Sequence, residues 1–252
     1  MTQLWHHPAS GVALAYVTGP VRPGEYVSVP DGRSGLAIAG ETVWWFGPAT
    51  RPWVADRMLD TVVGIRLTHL AGRPFADTSL APWCDARVEL GHLPSHAASS
   101  TDLRRALQMA STPRQQAVLL VAYASRRVGA DTESRGDGAA RILAGAAAGE
   151  PVAVTAAELA ISPRQMHRRS LEMFGMPPTT LRRILRIHRA ASVRVGGTEP
   201  TLATVAAEAG FSDQAHLARD TQALTLTTSS LALGRGRVAV SDSFKTSGST
   251  RP

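Results

Sequence analysis

The sequence predicts an α+β chain in two parts. The N-terminal part is mainly β, a small barrel or sandwich plus helices. The C-terminal part is all-α, with two helix-turn-helix units joined by a long helix. Three observations carry this. Short β-branched and aromatic runs, separated by turn residues, fill the first ninety residues. Helical periodicity replaces them from Thr101 onward. Near the C-terminus Ala157-Glu158-Leu159-Ala160-Ile161-Ser162 returns fifty residues later as Ala207-Glu208-Ala209-Gly210-Phe211-Ser212. Each copy joins a short Ala-rich helix to a second helix bearing polar and basic side chains, and two such units in tandem point to DNA.

The expected strands are Val12–Val17, Tyr26–Val29, Gly35–Ala39, Thr42–Phe46 and Thr61–Leu67. Gly19-Pro20, Pro23-Gly24, Asp31-Gly32 and Gly47-Pro48 break the chain between them. The connections are too short for helical crossovers, so the pairing should be antiparallel. A helix then follows on Leu103, Ala106, Leu107 and Ala110. Thr112-Pro113 supplies an N-cap and a first-turn proline for a longer one, Arg114–Val128, with Val118, Leu119, Ala122 and Tyr123 inward.

Residues 131–138 are polar and Gly-rich and read as a linker between a sensor or dimerisation part, 1–130, and a DNA-binding part, 139–233. The expected C-terminal helices are Ala139–Ala148, Thr155–Ala160, Pro163–Phe174, Thr179–Val195 (ended by Gly196-Gly197), Leu202–Ala209 and Asp213–Leu224. Residues 234–252, Ser- and Gly-rich, read as a disordered tail.

Charge agrees with this division. Of the formal net charge of +7, about +5 comes from residues 151–237, where eleven Arg face six Asp and Glu. Residues 1–130 carry twelve basic and nine acidic residues. The single cysteine, Cys84, excludes an internal disulfide and fits a reducing cytoplasm. No signal peptide and no membrane-length apolar run is evident. His6-His7, His69, His92 and His96 lack metal-ligand spacing, and no cofactor motif is present.

In the first unit Ser162 is placed as N-cap and Pro163 as first helical residue. Met166 and Leu171 then face inward, and Arg164, Gln165, His167 and Arg168 project from the N-terminal half. That half of a recognition helix enters the major groove, where Arg and Gln pair with guanine and adenine edges. A solvated amphipathic helix is the plainer alternative. In the second unit Gly210 suits a positive φ, Ser212 or Asp213 can cap, and Gln214, Ala215 and His216 occupy the exposed first turn. Aligning Leu217 with Met166 gives an offset of fifty-one and matches Arg219 to Arg168. A capping role for His216, and helix-bracing ion pairs for Arg168 and Arg219, compete with base contact. Between the units, Leu181, Ile184, Leu185, His188 and Ala191 form the inward stripe of the long helix. Arg182, Arg183, Arg186 and Arg189 are expected on solvated faces, some reaching phosphate.

With these segments in view, residues from about 137 to 231 resemble the DNA-binding domain of AraC/XylS-type transcriptional regulators. The carrying stretches are 161–168, Phe174-Gly175-Met176-Pro177-Pro178, 205–217 and Arg219. The resemblance implies a seven-helix domain whose two recognition helices read successive major grooves. It implies DNA contacts at Arg164, Gln165, His167 and Arg168, and at Gln214, Ala215, His216 and Arg219. Double-stranded DNA is the expected partner, with RNA polymerase, a small-molecule effector and a second copy of the chain beside it. Two departures stand out. Ser170 and Thr221 replace the family's usual aromatics, and the closing Gly-x-x-Pro of the first copy reads Leu226-Thr227-Thr228-Ser229 in the second.

The N-terminal part resembles, more weakly, the sensor domains attached to such regulators, through Val29-Pro30-Asp31-Gly32, Phe46-Gly47-Pro48 and 63–67. Trp44, Trp45 and Trp53 either line an effector pocket or belong to the core. Two rival functions are an enzyme using Cys84 with His69 or His92, which no local pattern supports, and a helical protein-interaction module that has lost specific DNA binding.

Overall fold

Alternation along the strands sorts the N-terminal side chains onto two faces of one sheet. The computed structural model describes residues 2–5, 11–24, 27–77, 79–129, 137–193, 200–226 and 229. The linker (131–136), the Gly196-Gly197 stop, residues 227–228 of the second closing turn, His6-His7 and the tail lie outside the described residues.

The strands are β1 (Thr2–Trp5), β2 (Val12–Thr18), β3 (Val27–Ser28), β4 (Gly35–Ala39), β5 (Thr42–Phe46), β6 (Trp53–Val54), β7 (Val62–Leu67) and β8 (Arg87–Glu89). Six form a sheet in the order β1-β2-β7-β4-β5-β8, and β3 pairs with β6 in a separate ribbon. Every pairing is antiparallel, as the short connections require. Expected strands are recovered within about two residues at each end, whereas β1, β6 and β8 are additions. The last two are two and three residues long, too short to show a period.

In register, Leu36 lies opposite Ile65 and Trp45, and Ile38 opposite Val63 and Val43. That face is the core, covered by α2 (Ala97–Met109) and α3 (Pro113–Gly129), with the short α1 (Arg73–Ala76) at its edge. Thr112 and Gln115 cap α3 reciprocally, at 3.2 and 3.0 Å. The inward face of α3 differs in part from expectation: Tyr123 is buried and Leu119 packs partly against the core as expected, but Val118 is 51% exposed, and Ala117, Leu120, Val121, Ala124 and Val128 are buried as well. Residues 117–123 are apolar without a break, so periodicity leaves the phase open and the sheet decides it.

His96 is fully buried in this core, stacked on Phe75 at 5.1 Å, with Nδ1 2.6 Å from the Tyr123 hydroxyl. Burial, then the Arg127 charge, hold its pKa down at about 4. His69 is lowered to about 4 in the same way. Between pH 6.5 and about 4 the unfolded chain therefore takes up protons that the folded chain refuses, and stability falls as pH falls through that window. We expect His96 alone to cost roughly 3 kcal/mol on going from pH 7 to 4. Urea denaturation across this range should show His96→Gln with a shallower pH slope than wild type, and equal slopes would refute the assignment.

The C-terminal helices are α4 (Asp137–Ala148), α5 (Val152–Glu158), α6 (Pro163–Phe174), α7 (Pro178–Ser192), α8 (Leu202–Glu208) and α9 (Gln214–Thr225). Leu181, Ile184 and Ile187 of α7 run through the centre of their core, meeting Ile142, Phe174, Val205 and Leu217 from the surrounding helices. The two parts touch. The Leu80 N–H donates to the Glu172 carbonyl at 3.0 Å, and Leu70 and Cys84 pack on the helical core. His188, expected on the inward stripe, instead donates from Nε2 to the Pro30 carbonyl at 2.6 Å. Burial pushes the Cys84 thiol up to about 11, so it is protonated at neutral pH and a poor nucleophile.

Candidate nucleic-acid interface

Each helix pair is closed by the same local chemistry. After α5 the chain turns through Ala160 at φ 49°, and the Ile161 N–H returns to the Ala156 carbonyl at 3.0 Å. After α8 it turns through Gly210 at φ 75°, and the Phe211 N–H returns to the Ala206 carbonyl at 2.8 Å. Ser162 caps α6 in a reciprocal box with Gln165. Asp213 caps α9, its carboxylate accepting from the His216 N–H at 2.6 Å. That bond and the Ser212 hydroxyl hold the Asp213 pKa below the usual carboxylate range.

Caps and buried positions bear out the two offsets. Ala156 and Ala206 are buried fifty apart, while Met166 and Leu217, and Ser170 and Thr221, are buried fifty-one apart. The helix ends follow. Gly175 ends α6 at φ 72°, and Leu226, fifty-one residues on, ends α9 at φ 59°. A leucine pays a steric penalty in that left-handed conformation which a glycine does not. Leu226 is 55% exposed, so little burial is lost on its removal. Leu226→Gly should therefore raise stability by about 0.5–1 kcal/mol, read as a higher urea midpoint. A neutral or lower midpoint would show that the turn is not strained. Beside it, the Thr221 hydroxyl is buried without a hydrogen-bond partner among the described residues, whereas Ser170 donates to the Met176 carbonyl at 2.8 Å.

The eight sequence-predicted contact residues separate into two groups. Arg164, His167, Gln214 and Ala215 are exposed, and among the described residues the side chains of Arg164, His167 and Gln214 make no hydrogen bond or ion pair. The others are engaged. The Gln165 Oε1 accepts from the Ser162 N–H at 2.8 Å, which leaves only its NH2 group outward. Bidentate pairing with adenine needs both amide atoms, so Gln165 reads a base fully only by giving up its cap. Arg168 lies 3.7 Å from Glu172, but at 70% exposure that pair is weak and readily exchanged. Arg219 is exposed, and its charge helps to lower the Asp213 pKa. His216 is the most committed: it sits edge-on to Phe211 at 5.2 Å, 3.1 Å from the Ser212 hydroxyl and 3.1 Å from the Arg186 guanidinium.

The arginines of α7 overturn the expectation of solvated faces. Arg183 and Arg186 both grip the Asp220 carboxylate, at 2.8 and 2.9 Å. Arg186 also lies over the Phe211 ring at 4.1 Å and is only 15% exposed. Arg189 donates to the Ala147 and Ala148 carbonyls and, through its other terminal nitrogen, to that of Ala209. Arg182 donates to the Glu150 carbonyl at 3.1 Å. These side chains fasten α9 and the helix ends on both sides to α7, so charge expected to face phosphate braces the scaffold. A sequence signal existed. Asp220 lies three residues after Leu217 and four before Leu224, on the inward stripe of α9, where an acid needs a cation.

Comparison with known proteins agrees with this geometry over part of the chain. Residues 155–230 match the family model described as a helix-turn-helix domain. Among solved structures, ToxT from Vibrio cholerae is 13% identical, with 92% of this chain and 97% of that chain covered and a TM-score of 0.44. The unsaturated fatty acid-bound form of the same protein is 12% identical, with 92% and 94% covered and a TM-score of 0.44. No curated protein matches.

Proposed function

We propose that residues 155–230, which match a helix-turn-helix domain, are a DNA-binding domain of the AraC/XylS type, and that the chain is a sequence-specific regulator of transcription whose two recognition helices read successive major grooves. The observation that carries this is the pair α6 and α9. Both are capped at their first turn and present polar or basic side chains there, and both are fixed to α7, the second by the Arg183 and Arg186 grip on Asp220. Arg164, His167 and Gln214 are the best-placed base readers, with Arg168 and Arg219 next. Gln165 and His216 serve chiefly the cap and the helix packing.

The N-terminal sheet supplies the means of control in this reading. Among the described residues, its face opposite the core encloses a cavity of about 380 Å3 lined by Trp44 and Trp53, within the size range of small-molecule sites. Trp45, by contrast, is fully buried core. Met109 (80% exposed) and Val118 (51%) lie together on α2 and α3 and support pairing with a second copy of the chain. RNA polymerase is the further partner that a regulator of this kind engages. Electrophoretic mobility shift on DNA upstream of the protein's own gene tests the reading. Saturable binding that weakens steeply with salt and survives competitor DNA supports it. Binding all fragments equally weakly would instead favour a helical interaction module.

A further inference from the structure

Each recognition helix carries a glutamine in its first turn, Gln165 in α6 and Gln214 in α9, but capping leaves the two with different chemistry. In α6 the cap uses the glutamine itself. Gln165 Oε1 accepts from the Ser162 N–H at 2.8 Å and from the Ser162 hydroxyl at 3.0 Å, so its acceptor is occupied. In α9 the cap is Asp213, and the Gln214 carboxamide keeps both its oxygen and its NH2 group without a partner among the described residues.

The neighbouring positions diverge in the same sense. At the offset of fifty-one, Arg164 corresponds to Ala215, His167 to Ala218 and Arg168 to Arg219, and all of these are exposed. The first face therefore carries guanidinium groups, which can only donate. The two nitrogens of an imidazole point apart, so His167 adds a single contact and not a bidentate one. The second face carries two methyl groups three residues apart beside a complete carboxamide. Its other polar groups are committed. Asp213 accepts the His216 N–H on Oδ1 at 2.6 Å and the Ser212 hydroxyl on Oδ2 at 3.1 Å, and the His216 ring lies between Ser212 and Arg186.

Charge follows the same division. Residues 152–174 hold three Arg and two Glu, and one of those acids, Glu158, is bonded to Arg141 of α4. Residues 201–226 hold one Arg, Arg219, against Glu208, Asp213 and Asp220. Arg183 and Arg186 neutralise Asp220, and in doing so their own charge is withdrawn from phosphate. The second unit is left with little attraction for the DNA backbone.

In the major groove guanine presents two acceptors, adenine an acceptor and a donor, and thymine a methyl group. We infer, on the regulator reading above, that the operator is chemically lopsided: α6 reads guanines through Arg164 and Arg168, and α9 reads A·T pairs, with Gln214 on adenine and the Ala215 and Ala218 methyls on thymine. The first unit supplies most of the attraction for phosphate. The second discriminates while adding little affinity of its own. The difference comes from the caps, since a glutamine able to read adenine stands in both helices and one of them is tied down.

Selection of the full chain on a random duplex library, followed by anisotropy on the enriched site, tests this. Expected is guanine in one segment and A·T pairs in another, about one helical turn apart. Arg164→Ala should reduce the preference for guanine roughly 5- to 150-fold in its own segment and leave the A·T segment unchanged. Ala215→Arg places a guanidinium where the first unit has Arg164, at an exposed position, and should convert one position of the A·T segment to guanine. A duplex trimmed to the guanine segment should keep most of the salt dependence of the full site, and one trimmed to the A·T segment should lose most of it. Guanine selected in both segments, A·T pairs in both, or an Ala215→Arg site that keeps its A·T pairs overturns the base assignment. Equal salt dependence of the two trimmed duplexes overturns the division of charge. A bipartite site of another composition would leave the regulator reading standing, whereas enrichment of no sequence at all would remove that reading as well.

Discussion

Asp220→Ala is expected to destabilise the protein by about 3 kcal/mol, near the lower end of the range for breaking a buried ion pair. The Asp220 side chain is 12% exposed and accepts from two arginines on α7. Its removal leaves two guanidinium groups facing each other without a counter-charge. Arg183, 41% exposed, can turn to water at small cost. Arg186 cannot, because it is 15% exposed, stacked on Phe211 and already holds one buried Nε without a partner among the described residues. Most of the penalty therefore falls on Arg186. In urea denaturation, Arg183→Ala should cost about 1 kcal/mol or less. The double variant Asp220→Leu with Arg186→Met should recover much of the loss, since it removes the charges together and keeps the volume. A loss below about 0.5 kcal/mol for Asp220→Ala would mean that the α7–α9 junction is solvated, and with it the rigid-spacer account would fall.

Arg164→Ala is expected to weaken operator binding by about 1–3 kcal/mol, or roughly 5- to 150-fold, with little effect on stability. Arg164 is exposed in the first turn of α6 and has no partner among the described residues, so its truncation leaves the fold nothing to repair. Gln165→Ala should behave in the opposite way. It breaks the reciprocal cap with Ser162 and costs about 1 kcal/mol of stability, so its effect on DNA should follow that loss. Urea denaturation and fluorescence anisotropy on the same preparations separate the two. Equal losses of stability in both variants would place Arg164 in the scaffold.

Much of this was legible from the sequence, and what was not has definite causes. The α6 limits, the Ser162 cap, the positive φ at Gly210 and the two offsets follow from capping residues and periodicity, which act within a few residues of chain. The inward face of α3 was not legible, because an unbroken apolar run has no phase until a sheet covers one side of it. The α7 arginines were misassigned for a related reason. Their partners are carbonyls and one carboxylate that lie 20 or more residues away, and no local pattern marks them. The cavity was half legible. Tryptophans were in view, but the space beside them comes from Gly35, Ala37 and Gly64 meeting across two strands, which only the register shows.

The central claim is that α6 and α9 read separate parts of one site. The most direct measurement is anisotropy on a selected operator carrying single base-pair changes at every position, with wild type, Arg164→Ala and Gln214→Ala. Each variant should relax discrimination over its own short segment, the two segments lying about one helical turn apart, roughly 10 base pairs. Relaxation at the same positions in both variants, or a uniform loss across all positions, would contradict the bipartite reading.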